Sequence, residues 1–373
     1  MTMSKTGFGF LRLPKQNPVD DNSVDFGAVS ALVDRYIALG GSYFDTAYTY
    51  LGGNSERAIR ESVVKRHPRE KLRIADKLPS WLLKRPQDCQ RFFNEQLERC
   101  GVDAFDVYLL HGLDAENYAL CEEFGAFAFL EKLRRSGKVR KTGFSYHDSP
   151  ELLDRILTAH PELDYVQLQI NYLDWESVSI QSRRCYEIAV KHGKCIIVME
   201  PVKGGTLANP PEAAKDLLAS LNATASPASW AMRFAQDLPA VEIVLSGMNA
   251  MEQIEDNMQE HPPLCAEEHH ALKRAAEIIR SSTAVTCSGC AYCVDGCPQR
   301  IPIPRLFALY NEYSRSPGEL WKMEYLYADL TANRGKASDC LQCGACEGSC
   351  PQKLNIIESL SNVAKIFEGE KRT

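Results

Sequence analysis

The arrangement Cys287-x2-Cys290-x2-Cys293-x3-Cys297-Pro298 recurs as Cys340-x2-Cys343-x2-Cys346-x3-Cys350-Pro351, so eight of the 14 cysteines fall within 64 residues. No other feature restricts what the chain can fold into as tightly. Thiols at this density need a partner, and in a reducing compartment that partner is a metal rather than another thiol. A zinc knuckle is one reading, but zinc favours paired C-x2-C steps, whereas here three cysteines run together and a fourth precedes proline. A disulfide framework is another. Met1–Gly9 holds no apolar core of signal-peptide length, and no later stretch approaches 18 uninterrupted apolar residues; the expectation is a cytoplasmic protein with no membrane partner. With 43 basic against 49 acidic side chains the net charge is −6, and no basic run forms, so no nucleic-acid partner is expected. At 45% hydrophobic and 25% charged residues the composition excludes collagen-like, disordered and membrane-spanning classes.

The doubled spacing resembles that of bacterial-type ferredoxins, which hold two 4Fe-4S clusters. Three thiolates two residues apart can wrap a loop around three corners of a cube, and the fourth must come from elsewhere. The resemblance implies that Cys287, Cys290, Cys293 and Cys350 hold one cluster, and Cys340, Cys343, Cys346 and Cys297 the other. Small residues between the ligands (Ser288, Gly289, Ala291, Gly344, Ala345) let backbone N–H groups approach cluster sulfurs. Arg305–Tyr313 and Glu319–Leu330, between the motifs, look helical, as in the helical ferredoxin modules of respiratory complexes. Residues 283–373 thus read as a small, mainly helical ferredoxin-like domain. The other six cysteines (Cys89, Cys100, Cys121, Cys185, Cys195, Cys265) are isolated and read as small buried or half-buried hydrophobes.

Upstream, short β-branched or aromatic runs alternate with helical patterns. Strands are expected at Phe8–Leu13, Ser42–Ala47, Arg73–Leu78, Asp106–His111, Lys141–Ser145, Tyr165–Ile170, Cys195–Met199 and Glu242–Ser246. Helical spacing marks Phe26–Leu39, Ser55–Lys65, Pro86–Cys100 and Pro150–Ala159. Eight strand–helix units over about 250 residues fit an α/β fold of the (β/α)8 TIM-barrel type. An open doubly wound sheet fits less well, since no GxGxxG follows an early strand. Glu267–Arg280 reads as the last barrel helix, which gives a barrel of residues 1–282.

In such barrels chemistry sits at the C-terminal strand ends. There the second, third and fourth strands carry Phe44-Asp45-Thr46-Ala47-Tyr48-Thr49-Tyr50, Ala75-Asp76-Lys77 and Leu109-Leu110-His111. An Asp would keep Lys77 charged, and that charge beside a phenol would lower the tyrosine pKa from about 10. The phenol could then protonate a carbonyl oxygen to which His111 also hydrogen-bonds. These residues resemble the tetrad of the aldo-keto reductase superfamily: an Asp, a Tyr five residues later, a Lys ending the third strand and a His after the fourth. Asp45, Tyr50, Lys77 and His111 match it, and the five-residue offset favours Tyr50 over Tyr48. Gly7–Pro14, Gly143-Phe144-Ser145, Gln167–Tyr172, Pro201–Gly205 and Ser246-Gly247-Met248 resemble further strand-end signatures, so the likeness covers residues 7–280.

The resemblance implies a carbonyl/alcohol oxidoreductase with NAD(P)H extended across the barrel mouth. Ser145 and Gln169 match carboxamide contacts, and Met199 stands where an aromatic ring often stacks on the nicotinamide. Gly204, Gly205, Met248, Gln253 and Asn257 match pyrophosphate and adenosine contacts. Tyr146 replaces the usual Asn, and Gly247 and Gln253 stand where NADPH-selective members carry Lys and Arg, so a 2′-phosphate would lose its bidentate partner there. A nicotinamide moves electrons in pairs and a 4Fe-4S cluster singly, so direct coupling needs a pair-splitting group, for which FMN at the same mouth is a candidate. The leading expectation is a relay between the barrel, its small carbonyl or alcohol substrate and an external ferredoxin-like electron carrier. The alternatives are a plain reductase with a structural or docking tail, and a redox-sensing subunit with little turnover.

Overall fold

The computed structural model describes residues 4–17, 20–177, 180–315 and 320–369. The chain forms two compact units. The first, Met1–Glu176, Gln181–Pro201 and Ala228–Leu264, holds eight strands: β1 (Thr6–Gly9), β2 (Tyr43–Asp45), β3 (Arg73–Pro79), β4 (Phe105–Leu113), β5 (Val139–Tyr146), β6 (Tyr165–Gln169), β7 (Cys195–Met199) and β8 (Val241–Ser246). They pair in parallel in sequence order and β8 closes onto β1, giving the (β/α)8 barrel the alternation predicts. β1 differs from its expected span: pairing ends at Gly9, and Phe10–Arg12 turn away. The apolar run misleads there, because Phe10 is buried by ring packing on Phe8 and Phe44 rather than by a strand ladder.

Strand parity sets up the barrel mouth. Tyr43, Ala75, Val107, Leu109, Tyr165, Ile197 and residues of β8 form one buried cluster filling the barrel. Two residues further along their strands, on the same face, stand Asp45, Lys77, His111 and Met199, and four further stands Gln169. Gly143 is required where β5 and β6 meet, since a Cβ there would lie 2.1 Å from the Tyr165 carbonyl oxygen. The surrounding helices begin where chemistry allows: Asp25 accepts from the Ala28 N–H to cap Phe26–Ala38, and Ser149 caps Pro150–Ala159, with proline in its first turn. Among the described residues no helix is long and apolar enough to cross a membrane.

The second unit comprises residues 177–180, Val202–Pro227 and Cys265–Thr373. Its division from the first does not coincide with the expected boundary at 282, because the helix Ala266–Ser281, read as the last barrel helix, packs on Glu212–Ala219 and groups with the tail. Helices Ile303–Arg315, Leu320–Thr331 and Ile356–Phe367 then pack around a core that includes Phe307, Met323, Leu360, Cys293, Cys346 and Cys350. Glu319, expected to start the middle helix, lies outside the described residues.

Backbone geometry repeats with the cysteines. Positive φ falls at Gly289 and Ala291 in the first motif and at Gln342 and Gly344 in the second, then at Arg300 and Lys353 three residues after each final cysteine. The hydrogen bonds correspond as well: Cys297 N to Val294 O at 3.1 Å mirrors Cys350 N to Glu347 O at 3.2 Å, and Arg300 N to Cys297 O at 2.9 Å mirrors Lys353 N to Cys350 O at 3.0 Å. Each motif thus makes the same short helical turn and feeds a longer helix.

Candidate functional site

At the mouth of the barrel, Lys77 Nζ lies 2.5 Å from Asp45 Oδ1 and also donates to the Thr46 carbonyl at 2.8 Å, with the lysine fully buried. Burial raises the Asp45 carboxyl above the usual carboxylate range, and the Lys77 charge opposes that shift. The Lys77 main chain is held in turn: Gln96, from the helix Gln87–Cys100, donates to its carbonyl at 3.0 Å and accepts from Tyr108. Tyr50 sits on the tight turn after β2, where Leu51 takes a left-handed φ of 51° and Asn54 bonds the Leu51 carbonyl at 2.9 Å. A non-glycine residue there costs about 1–3 kcal/mol, strain the turn tolerates while aiming Tyr50 inward.

The Lys77 ammonium lies 5.0 Å from the centre of the Tyr50 ring, and the Tyr50 and His111 rings meet edge to face at 5.6 Å. The four tetrad candidates are therefore brought together. Burial, then the Lys77 charge, pushes the His111 imidazole well below its ordinary value, and its Nδ1 has no hydrogen-bond partner among the described residues. Trp81, which the sequence reading missed, lies 5.0 Å from the His111 ring and is 41% exposed. Tyr48 is turned elsewhere: its hydroxyl donates to Glu95 at 2.7 Å and accepts from Arg99 at 3.3 Å. Behind β3, buried Asp76 and Glu56 face each other; burial pushes Glu56 up to about 7, opposed by its bond to Arg99.

Ser145 is buried and accepts from the Gly112 N–H at 2.7 Å. Gln169 donates to Asp174 Oδ2 at 2.8 Å, and Asn171 reaches the same oxygen at 2.9 Å, so Asp174 orients both amides. No spacing signal pointed to Asp174. Met199 is half-buried at the β7 end, and Met248 is buried. Gln253 is exposed and accepts from the Asn249 N–H at 2.7 Å; Asn257 is buried and donates to Ser246 at 3.0 Å. Tyr146 points its hydroxyl to the Ser149 carbonyl, at 2.5 Å. Gly247 has the Arg12 side chain against it, where a Cβ would stand 3.2 Å from the Arg12 Cβ.

In the second unit Gly205 has open space on its Cβ side, but Gly204 does not: a Cβ there would fall 1.7 Å from the Ser288 carbonyl oxygen. A phosphate expected at Gly204 finds that side filled by a main-chain acceptor, and a carbonyl oxygen repels an anion.

The cysteines separate into two quartets. Cys287, Cys290, Cys293 and Cys350 line one cavity of about 300 Å³, and Cys297, Cys340, Cys343 and Cys346 line another of about 340 Å³, with Ile303 in the wall of both. No three His, Cys, Asp or Glu side chains among the described residues converge on a single ion; each quartet instead surrounds a void. Burial and then its neighbours Cys290, Cys287 and Cys350 raise the Cys293 thiol. The Gly289 N–H donates to Cys287 Sγ at 3.3 Å. The donor set and the void fit a thiolate-held cluster.

The aldo/keto reductase family model matches residues 5–277, and the 4Fe-4S dicluster domain model matches residues 286–356. Among curated proteins, a probable aldo-keto reductase of Glycine max is 28% identical over 181 residues, 46% of this chain and 49% of that protein. An aldo-keto reductase of Mycolicibacterium smegmatis is 33% identical over 144 residues, 38% and 46% of the two chains. The chain thus spans about half the length of these relatives. The fold matches the holo form of an aldo-keto reductase from Bacillus halodurans (TM-score 0.59, 21% identity, 73% of this chain and 92% of that one). It also matches an aldo-keto reductase from Klebsiella pneumoniae in complex with NADPH (TM-score 0.56, 19% identity, 73% and 90%). With a family model running through the whole barrel, the chain belongs to the aldo/keto reductase family and carries a 4Fe-4S dicluster domain after it.

Proposed function

We propose that the chain interconverts a small carbonyl and its alcohol at the barrel mouth, with Tyr50 as the acid/base. The observation that carries this is the buried Asp45–Lys77 pair with its ammonium 5.0 Å from the Tyr50 ring. A bound reduced nicotinamide supplies the hydride. Tyr50 gives its hydroxyl proton to the carbonyl oxygen, and the Lys77 charge favours the phenolate left behind. Asp45 holds the ammonium in place. His111, kept neutral by burial, is the second hydrogen-bond donor to the same oxygen, and Trp81 forms an apolar wall beside it. Within the barrel unit Ser145, Gln169, Met199, Met248, Gln253 and Asn257 remain the candidates for holding the nicotinamide cofactor, and for Gly205 the role stays what the family likeness implies. Gly204 does not fit that role on its Cβ side.

In this reading the tail's two quartets each hold one 4Fe-4S cluster with a crossed fourth ligand, supported by the separate cavity that each quartet lines. Such clusters supply one-electron transfer. The wall common to both cavities supports a relay toward an external ferredoxin-like carrier over a purely structural tail. An NADPH-bound aldo-keto reductase among the similar structures supports a nicotinamide at the mouth; a relay from it to the clusters further requires a pair-splitting group, for which FMN is the candidate.

Replacing Tyr50 with Phe tests the acid/base assignment. The variant should lose at least about a hundredfold in kcat for NAD(P)H-dependent aldehyde reduction, while nicotinamide affinity by fluorescence titration stays within about twofold. Retained turnover removes Tyr50 from the mechanism.

A further inference from the structure

Each cysteine motif ends in the same tripeptide, Cys297-Pro298-Gln299 and Cys350-Pro351-Gln352, and each glutamine borders its own cavity. The two are nevertheless treated differently. Gln352 is buried, and its Oε1 accepts a 2.7 Å hydrogen bond from Lys203 Nζ, a side chain only 1% exposed that comes from 147 residues upstream of Cys350 in the segment that follows β7. The Gln299 cavity is lined beyond its cysteines by neutral side chains such as Leu341, Ile357 and Leu360.

The backbone around Lys203 is shaped for this contact. Lys203, Gly204 and Gly205 take φ values of 46°, 63° and 101°, a run of left-handed residues that only the two glycines adopt without strain. Gly204 lies directly on the Ser288 carbonyl, and Ser288, between Cys287 and Cys290, also lines the first cavity. Val202–Pro227 accordingly forms one compact unit with the cysteine tail. The turn that the family likeness assigned to a cofactor pyrophosphate is engaged with the first cysteine loop.

We propose that Lys203 is the resident cation of the first cluster and holds its reduction potential above that of the second. This rests on the reading that the quartets hold 4Fe-4S clusters. A cluster bound by four thiolates is anionic, and the electron it accepts makes it more so. A buried positive charge one hydrogen bond away from a cavity-lining residue therefore stabilises the reduced form, strongly because little water screens it. Burying an ammonium is costly unless an anion is near, and a cluster in this cavity is such an anion. Gln352 links the two: its side-chain carbonyl accepts from the ammonium, and the residue lines the cavity. Lys203 acts through its charge and is not a cluster ligand.

The test is an anaerobic redox titration of the full chain followed by electron paramagnetic resonance, with dithionite as reductant and iron measured in every sample. The wild-type protein should show two separable potentials, the higher one disappearing in Cys290→Ser. Lys203→Met should move the higher potential down and leave the lower in place, and Lys203→Arg should restore it. Gln352→Glu, which sets a carboxylate against the ammonium and offsets its field without emptying its site, should also move the higher potential down. Iron at the wild-type level with both potentials unmoved in Lys203→Met overturns the proposal. So does loss of first-cluster iron in Lys203→Met while Gln352→Glu keeps both its iron and its potential, since Lys203 would then be a clamp only. A wild-type chain purified anaerobically without iron instead defeats the underlying cluster reading.

Discussion

His111 is neutral in the folded protein because burial and the adjacent Lys77 charge both disfavour its protonation. In the unfolded chain the same imidazole titrates near 6.5. As pH falls below about 6.5 the unfolded state binds a proton that the folded state refuses, so stability declines with acidification. Glu56, pushed up to about 7, has the opposite effect: its contribution is present below its unfolded value and is lost as pH rises through about 7. His111→Gln should therefore flatten the loss of urea midpoint between about pH 6.5 and pH 5 relative to wild type; an unchanged slope would mean that His111 is protonated in the fold. The preference for Tyr50 over Tyr48 came from the family likeness, as a five-residue offset from Asp45. What holds Tyr48 aside, Glu95 and Arg99, lies on a helix more than 40 residues away in sequence and leaves no local signal. Trp81 went unread for the same reason, since β3 and β4 must pair before it meets His111; Asp174 lies only three and five residues from the amides it orients, but no motif marks that spacing.

Strands β3 to β8 announced themselves through β-branched and aromatic runs buried on both faces, and once the barrel was inferred, period-two parity put Asp45, Lys77 and His111 on one rim. β1 was misplaced because Phe10, beyond Gly9, is buried by packing on the Phe8 and Phe44 rings rather than by continuing the strand. In the tail, the ferredoxin likeness implied the grouping of cysteines that lines the two cavities, while the repeat of positive φ at equivalent positions is visible only in the backbone, because Ala291 and Gln342 carry side chains that do not advertise it. Crossing makes a specific prediction. Cys290→Ser and Cys350→Ser, although 60 residues apart, should each remove about half the iron, and the double variant should lose no more than either. Cys290→Ser combined with Cys343→Ser should lose nearly all of it. Additive loss in the first pair would break the crossed assignment.

At the scale of the molecule, the family match ends at residue 277 and the dicluster match begins at 286, close to the boundary that composition suggests, yet the compact units divide elsewhere. Sequence similarity follows descent, whereas compactness follows packing, and the segment Val202–Pro227 has gone over to the cysteine tail through Lys203 and Gly204. A loop inherited with a barrel can in this way serve a different module, which a linear reading of motifs does not reveal. The central claim, that this barrel performs hydride chemistry at Tyr50 while the clusters move electrons singly, is tested most directly by isotope transfer. With the anaerobically purified holoprotein, para-nitrobenzaldehyde and nicotinamide deuterated at its transferable position, the product alcohol should carry one deuterium on its carbinol carbon. Alcohol formed with hydrogen from solvent at that carbon, or formed equally well from dithionite without nicotinamide, would contradict it.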